Sequence, residues 1–192
     1  TKIDTTAYTG SNNFILLVTG ETASLYVEKM TITRTVSAGW VGGIGFNGSV
    51  GTATRQLSVK DCELTSPYGG ASYVYMGSGE FGTINFQNVQ WTGAAMSPFH
   101  SISAKVFDCR FENCDFASSG NVYLGTIGTA VAPATSEQIV HFDGCRFPNT
   151  YVWVNNDAAV FFSQCMLYGI TLSNIGATAG GTVLQTHNVY IT

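Results

Sequence analysis

Charge is scarce in this chain. Lys and Arg number 8, Asp and Glu 12, and the formal net charge is −4 over 192 residues. Isolated basic residues on an acidic background exclude the Lys/Arg-lined face that nucleic acid requires. Long apolar runs are missing as well. Nothing approaches the ~18 consecutive apolar residues of a membrane span, and no charged-then-apolar leader opens the chain. No segment sustains a 3.6-residue apolar period. Glu21 to Met30 is the one fragment with a briefly helical pattern, and its β-rich continuation argues against a helix. Finally, the cysteines number five, so complete intramolecular pairing is ruled out.

What is present is a repeated phrase of eight positions: apolar, any, apolar, any, turn residue, small buried-type residue, any, apolar. It reads Leu25 to Ile32, Leu57 to Leu64, Ile84 to Trp91, Cys109 to Phe116, Val140 to Phe147, Val160 to Leu167 and Leu184 to Ile191. The sixth positions are Met30, Cys62, Val89, Cys114, Cys145, Cys165 and Val189, at intervals of 32, 27, 25, 31, 20 and 24 residues. Short strands at such a period predict a solenoid, whose units bury their apolar faces only by stacking on one another.

Positions 1 and 3 share one side of a strand because side chains alternate with a period of two. The phase breaks at 4 and 5 and resumes at 6 and 8, which demands a tight bend at position 5. Asp61, Asn88, Asn113, Gly144, Gln164 and Asn188 stand there. Asn, Asp and Gly tolerate left-handed backbone angles or hold a turn with their own side chain; Lys29, in the first unit, fits poorly. Between the phrases runs a third β-rich stretch: Phe14 to Val18, Gly42 to Phe46, Ser72 to Met76, Phe99 to Ile102, Val122 to Leu124, Tyr151 to Val154 and Ile170 to Leu172. Gly125 to Gln138 and Ser173 to Gly181 read as loops. With 22 Gly and 45% apolar residues, the composition supplies one continuous core, so residues 1–192 are read as a single domain.

Three short strands per repeat resemble the right-handed parallel β-helix, the pectate-lyase-like architecture also used by many bacteriophage tailspikes and virion appendages. The resemblance spans roughly Phe14 to Ile191, and the corners of Phe111-Glu112-Asn113-Cys114-Asp115-Phe116 and Ile84 to Trp91 carry it most clearly. It implies an all-β, single-stranded right-handed solenoid of about seven to eight turns, roughly 35 Å long at ~4.8 Å per turn. No family-specific catalytic motif accompanies it.

Four cysteines, Cys62, Cys114, Cys145 and Cys165, share the inward sixth position, where Met and Val substitute. That is the behaviour of a small hydrophobe stacked in a file. Parallel Cβ vectors keep neighbouring sulfurs from disulfide geometry, and a linear file cannot converge four thiolates on zinc. The reading is structural thiols made in a reducing cytosol, with no metal and no cofactor. Gly43 to Gly48 and Gly77 to Gly82 match G-x-G-x-x-G, but neither opens a helix, so phosphate binding does not follow. Asn47-Gly48-Ser49 is a formal glycosylation sequon.

Three functional classes stay open. For an enzyme, the outward position 4 places Glu112 and Asp143 on adjacent units, about one strand spacing (~4.8 Å) apart, close to the ~5–5.5 Å of retaining glycosidase carboxylates. Like charges at that distance raise one pKa, as a general acid needs. Arg110 and Arg146 in the same units can instead neutralise them, with Asp115 opposite Arg146. His100, His141 and His187 are not near one another in this frame. For a glycan-binding adhesin or a subunit interface, Trp153, Tyr73 and Tyr75 are the candidates, each alternating with valine on a strand; an inward Trp153 filling the core is the bland option.

For a structural role, the last repeat runs to Ile191-Thr192 without a capping segment and the chain opens on Thr1. The expectation is either an excised piece or a terminal unit covered by another chain. The leading expectation is a non-catalytic structural protein of a virus particle, most simply a phage: a capsid decoration or cement protein, or the β-helical part of a tail spike or fibre. It would self-associate (a trimer by resemblance to tailspikes), contact other virion proteins and in one version a host surface glycan. It would not insert in a membrane. The alternatives are a polysaccharide depolymerase fragment or an adhesin.

Overall fold

The computed structural model describes residues 2–4, 16–19, 24–33, 44–47, 54–66, 71–93, 96–119, 122–124, 139–147, 152–154, 159–168 and 182–191. Every described element is a β-strand. The first six are β1 (Lys2–Asp4), β2 (Leu16–Thr19), β3 (Leu25–Glu28), β4 (Thr31–Thr33), β5 (Ile44–Asn47) and β6 (Thr54–Lys60). Then come β7 (Glu63–Ser66), β8 (Ala71–Gln87), β9 (Gln90–Gly93), β10 (Met96–Glu112), β11 (Asp115–Ser119) and β12 (Val122–Leu124). The last are β13 (Ile139–Asp143), β14 (Val152–Val154), β15 (Ala159–Ser163), β16 (Met166–Tyr168), β17 (Thr182–Thr186) and β18 (Val189–Ile191). The described strand pairs are parallel, and each strand meets its counterpart in a neighbouring repeat. The short β1, which the eight-position phrase did not flag, pairs with β4 through Ile3↔Ile32.

The bend falls at position 5 of the octet. Lys29, Asp61, Asn88, Asn113 and Gln164 have φ of 51–55°, and Gly144 has φ 63°. Five of these carry a Cβ in the left-handed region, at a cost of roughly 1–2 kcal/mol each. What offsets that strain is a hydrogen bond per bend: the position-5 N–H donates to the position-4 carbonyl of the next octet. The pairs are Lys29 to Lys60, Asp61 to Gln87, Asn88 to Glu112, Asn113 to Asp143, Gly144 to Ser163 and Gln164 to Thr186, at 2.8–3.1 Å. Lys29, a poor turn former by residue type, bends there because this ladder holds it.

Two expectations are corrected. The final octet runs Val183 to Tyr190, one residue earlier than the phrase suggested: Val160 pairs with Val183 and Ser163 with Thr186, and the bend is at His187 (φ 53°) rather than Asn188. A one-residue slip exchanges the two faces of a strand. Here Asn188 decides it, accepting from the Cys165 N–H at 2.9 Å and donating through Nδ2 to the Phe162 carbonyl at 3.3 Å. Second, the third strand is not separate throughout. β8 and β10 run through it without a break, paired at a constant offset of 25 residues from Met96↔Ala71 to Glu112↔Gln87. Equal spacing in these two repeats leaves no insertion to break the ladder. Ile170 to Leu172 and the loops Gly125 to Gln138 and Ser173 to Gly181 lie outside the described residues, as does Phe14.

The core is filled by columns of like residues. Position 3 stacks Phe86, Phe111, Phe142 and Phe162 at centroid separations of 4.9, 4.8 and 5.0 Å with rings 6–13° apart. Position 8 stacks Trp91, Phe116 and Phe147 at 4.5 and 5.2 Å. Edge contacts join the two columns inside the three octets that carry both rings, as between Phe86 and Trp91 (5.4 Å) and between Phe142 and Phe147 (5.1 Å). All seven rings are fully buried. Burying one such ring is worth about 1.5–3 kcal/mol, with more from ring–ring geometry. Val27, Val59, Ile32 and Leu64 continue the columns in the first two octets.

Candidate functional site

The sixth position holds the most regular polar chemistry. Cys62, Cys114, Cys145 and Cys165 are all buried and unpaired as disulfides. Each thiol donates to the position-3 carbonyl of the preceding octet: Cys114 to Phe86 at 3.3 Å, Cys145 to Phe111 at 3.2 Å, Cys165 to Phe142 at 3.5 Å and, more loosely, Cys62 to Val27 at 3.9 Å. Each also lies 3.1–3.5 Å from the carbonyl two residues before it. In the last octet Asn188 takes over the same carbonyl with its amide, as given above. Cysteine recurs here because it is small, apolar and still a donor. Burial pushes the thiols of Cys62, Cys109 and Cys145 up; for Cys165 the hydrogen bond with Cys145 leads and burial adds to it. The thiols of Cys62, Cys145 and Cys165, raised in pKa and aimed at carbonyls, act as fasteners between octets.

Outside the bends, positions 4, 5 and 7 form short polar ladders. Asn88 Nδ2 donates to Asp61 Oδ1 at 2.8 Å, and Gln87 Nε2 to Glu112 Oε2 at 3.3 Å. Asp61, Glu63, Asn88, Gln90 and Lys29 line an open groove of about 510 Å³ along the first three bends. Sequence reasoning passed over this groove; the signal was the run of acids and amides at positions 5 and 7 of consecutive octets. A Cβ on Gly144 would come within 2.5 Å of Asn113 Oδ1, so glycine there leaves room for the preceding side chain as well as for the bend.

Glu112 and Asp143 are Cα partners on β10 and β13, adjacent as the repeat implied. Asp143 is exposed and Glu112 half-buried. Arg110 and Arg146, which the repeat places where they can neutralise the pair, have other partners, and Asp115 lies opposite Arg146 as the repeat implies. Arg110 turns back to Asp108, with Nη2–Oδ2 and Nε–Oδ2 both at 2.9 Å, because residues two apart lie on one side of a strand. Arg146 meets Asp115 at 3.7 Å. His141 faces outward and stacks on Phe161 at 4.8 Å; His187 occupies an exposed bend. Trp153, Tyr73 and Tyr75 lie on strands β14 and β8, with Trp153 in register with Tyr123 and Tyr75 with His100; their side chains fall outside the described residues. Among the described residues, no group of three or more His, Cys, Asp or Glu converges where a metal ion could sit. No described helix is long and apolar enough to cross a membrane.

Comparison with family models, with curated proteins and with solved structures returned no match.

Proposed function

We propose that this chain is a right-handed parallel β-helix of about seven to eight turns that serves as a non-catalytic structural component of a virus particle, a phage by the sequence resemblance. In that role it decorates or cements a capsid, or forms the β-helical part of a tail spike or fibre, and works as an oligomer alongside other virion proteins. The observation that supports this best is the filing of the interior among the described residues, from Val27 to Leu167. Stacked rings 4.8–5.0 Å apart and thiols bonded from octet to octet commit the buried cysteines to cohesion between turns. Such a rod offers persistence and a displayed surface, which is what an assembled particle asks of its parts. The choice of a virion over another assembly rests on analogy of fold. The test is to image the assembled particle with the chain tagged or deleted. Density at a regular capsid or tail position, lost on deletion, is expected. A particle that is unchanged in composition and density overturns the proposal.

One observation favours a second reading. The register of Glu112 with Asp143 fits a two-carboxylate glycoside hydrolase, a depolymerase of host surface polysaccharide. Release of reducing sugar from capsule or lipopolysaccharide, abolished by Glu112→Gln, would establish it in place of the structural role.

A further inference from the structure

Four side chains of each octet face inward, at positions 1, 3, 6 and 8. In the first six octets all of them are apolar, ending with Val160, Phe162, Cys165 and Leu167. The seventh departs from this: Val183, Gln185, Asn188 and Tyr190 stand there. Register keeps them in the same columns, with Gln185 beside Phe162 and Tyr190 beside Leu167. Phe162, Cys165 and Leu167 are buried beneath them, while Gln185 is exposed, Asn188 half-buried and Tyr190 64% exposed. The three polar side chains are tied down. The Tyr190 hydroxyl donates to Gln185 Oε1, spanning the position-3 and position-8 columns, and the Asn188 amide grips the backbone of octet six at Cys165 and Phe162. The opposite end has no such set: Val27 and Ile32 of octet one are buried, and β1 lies beside β4.

We propose that octet seven is a polar roof that stops the stack, so that a second copy of this chain cannot add its octets end to end. The inference rests on the coiled reading above. Among the described strands, β17 and β18 are edge strands of their sheets, and the free N–H and C=O groups of an edge are a template for another chain. A copy pairing there would set its own inward side chains on Gln185, Asn188 and Tyr190 and cut them off from water. A buried amide or hydroxyl without a partner opposes that contact. The backbone invites pairing and the side chains refuse it. Because octet one keeps its apolar residues buried, the partner held off by the roof is the same end of a second copy. Stripped of its polar groups, that end would meet its equal across a two-fold axis and give a closed pair, not a filament.

Sedimentation velocity and hydrogen exchange on the full chain test this together. Wild type is expected to keep one mass across concentration, with fast amide exchange over β17 and β18. Gln185→Phe with Tyr190→Leu gives octet seven the residues of octet six and leaves Asn188, which sets the register. This double variant is expected to reach twice the wild-type mass as concentration rises, with exchange over β17 and β18 slowed. Gln185→Phe alone should act in the same direction more weakly. Thr186→Val, at the outward position 4, should change neither readout. A far-ultraviolet spectrum like that of wild type certifies the fold of each variant. A folded double variant with the mass and exchange of wild type overturns the roof, as does a wild type that doubles in mass with those amides slowed. Both readouts come from the isolated chain, so their failure is distinct from a failure of the particle-imaging test.

Discussion

The sixth and seventh positions of the repeat are neighbours along the chain and follow opposite rules. The sixth points in and repeats: Met30, Cys62, Val89, Cys114, Cys145, Cys165, then Asn188. The seventh points out and varies without restraint: Thr31, Glu63, Gln90, Asp115, Arg146, Met166, Val189. In-register stacking explains both. An inward side chain is packed above and below by its own counterparts, so each must fill the space the next leaves. An outward one answers only to water and to whatever docks there. Shape is written on the inside of this molecule and partnership on the outside.

The inside should break first. Phe111 is stacked between Phe86 and Phe142, so Phe111→Ala should cost about 3–5 kcal/mol, read as a lower urea midpoint. A second test uses pH. Cys145 and Cys165 have folded pKa values raised above those of free thiols, so the folded state holds protons that the unfolded chain gives up. Their contribution is complete below the unfolded thiol pKa of about 8.5 and falls as pH rises beyond it, by up to about 1.4 kcal/mol per pH unit for each thiol. Cys145→Val with Cys165→Val should flatten that decline in denaturation curves taken from pH 8 to 10.

The bend lies between the two regimes. Gly144→Ala should cost about 1–2 kcal/mol from backbone angle alone, plus the displacement of Asn113. Asn113→Gly in the same chain should remove the second part and leave the first, a coupling that a double-mutant cycle measures. Smallest of all, Gln90→Ala at the exposed seventh position should move stability by no more than about 0.5 kcal/mol. A larger loss there would mean that the outer ladders hold the fold, and the contrast between the two positions would fail.

The same contrast explains what could be read in advance. Parallel all-β pairing, the bends and the inward cysteines were legible because apolar spacing and Asx or Gly residues mark them directly. The last octet was misplaced because Leu184 and Ile191 spell the phrase better than Val183 and Tyr190 do; the amide of Asn188, invisible to an apolar pattern, sets the register instead. Lys29 was discounted on residue type, yet a backbone bond to Lys60 holds the bend. Outside, the partner of Arg110 was missed because Asp108 stands one residue before the octet begins. The groove by Asp61 and Glu63 is marked only by acids and amides at positions 5 and 7, which an apolar pattern does not weigh.

Trp91 has a use beyond packing. Its ring is wholly buried against Phe116, and its indole N–H finds no acceptor. An indole in so dry a setting emits at unusually short wavelength, and admitting water reddens it at once. With Trp40 and Trp153 replaced by Phe, the middle of the molecule thus holds an optical gauge of its own wetting, able to tell a frayed end from a breached interior.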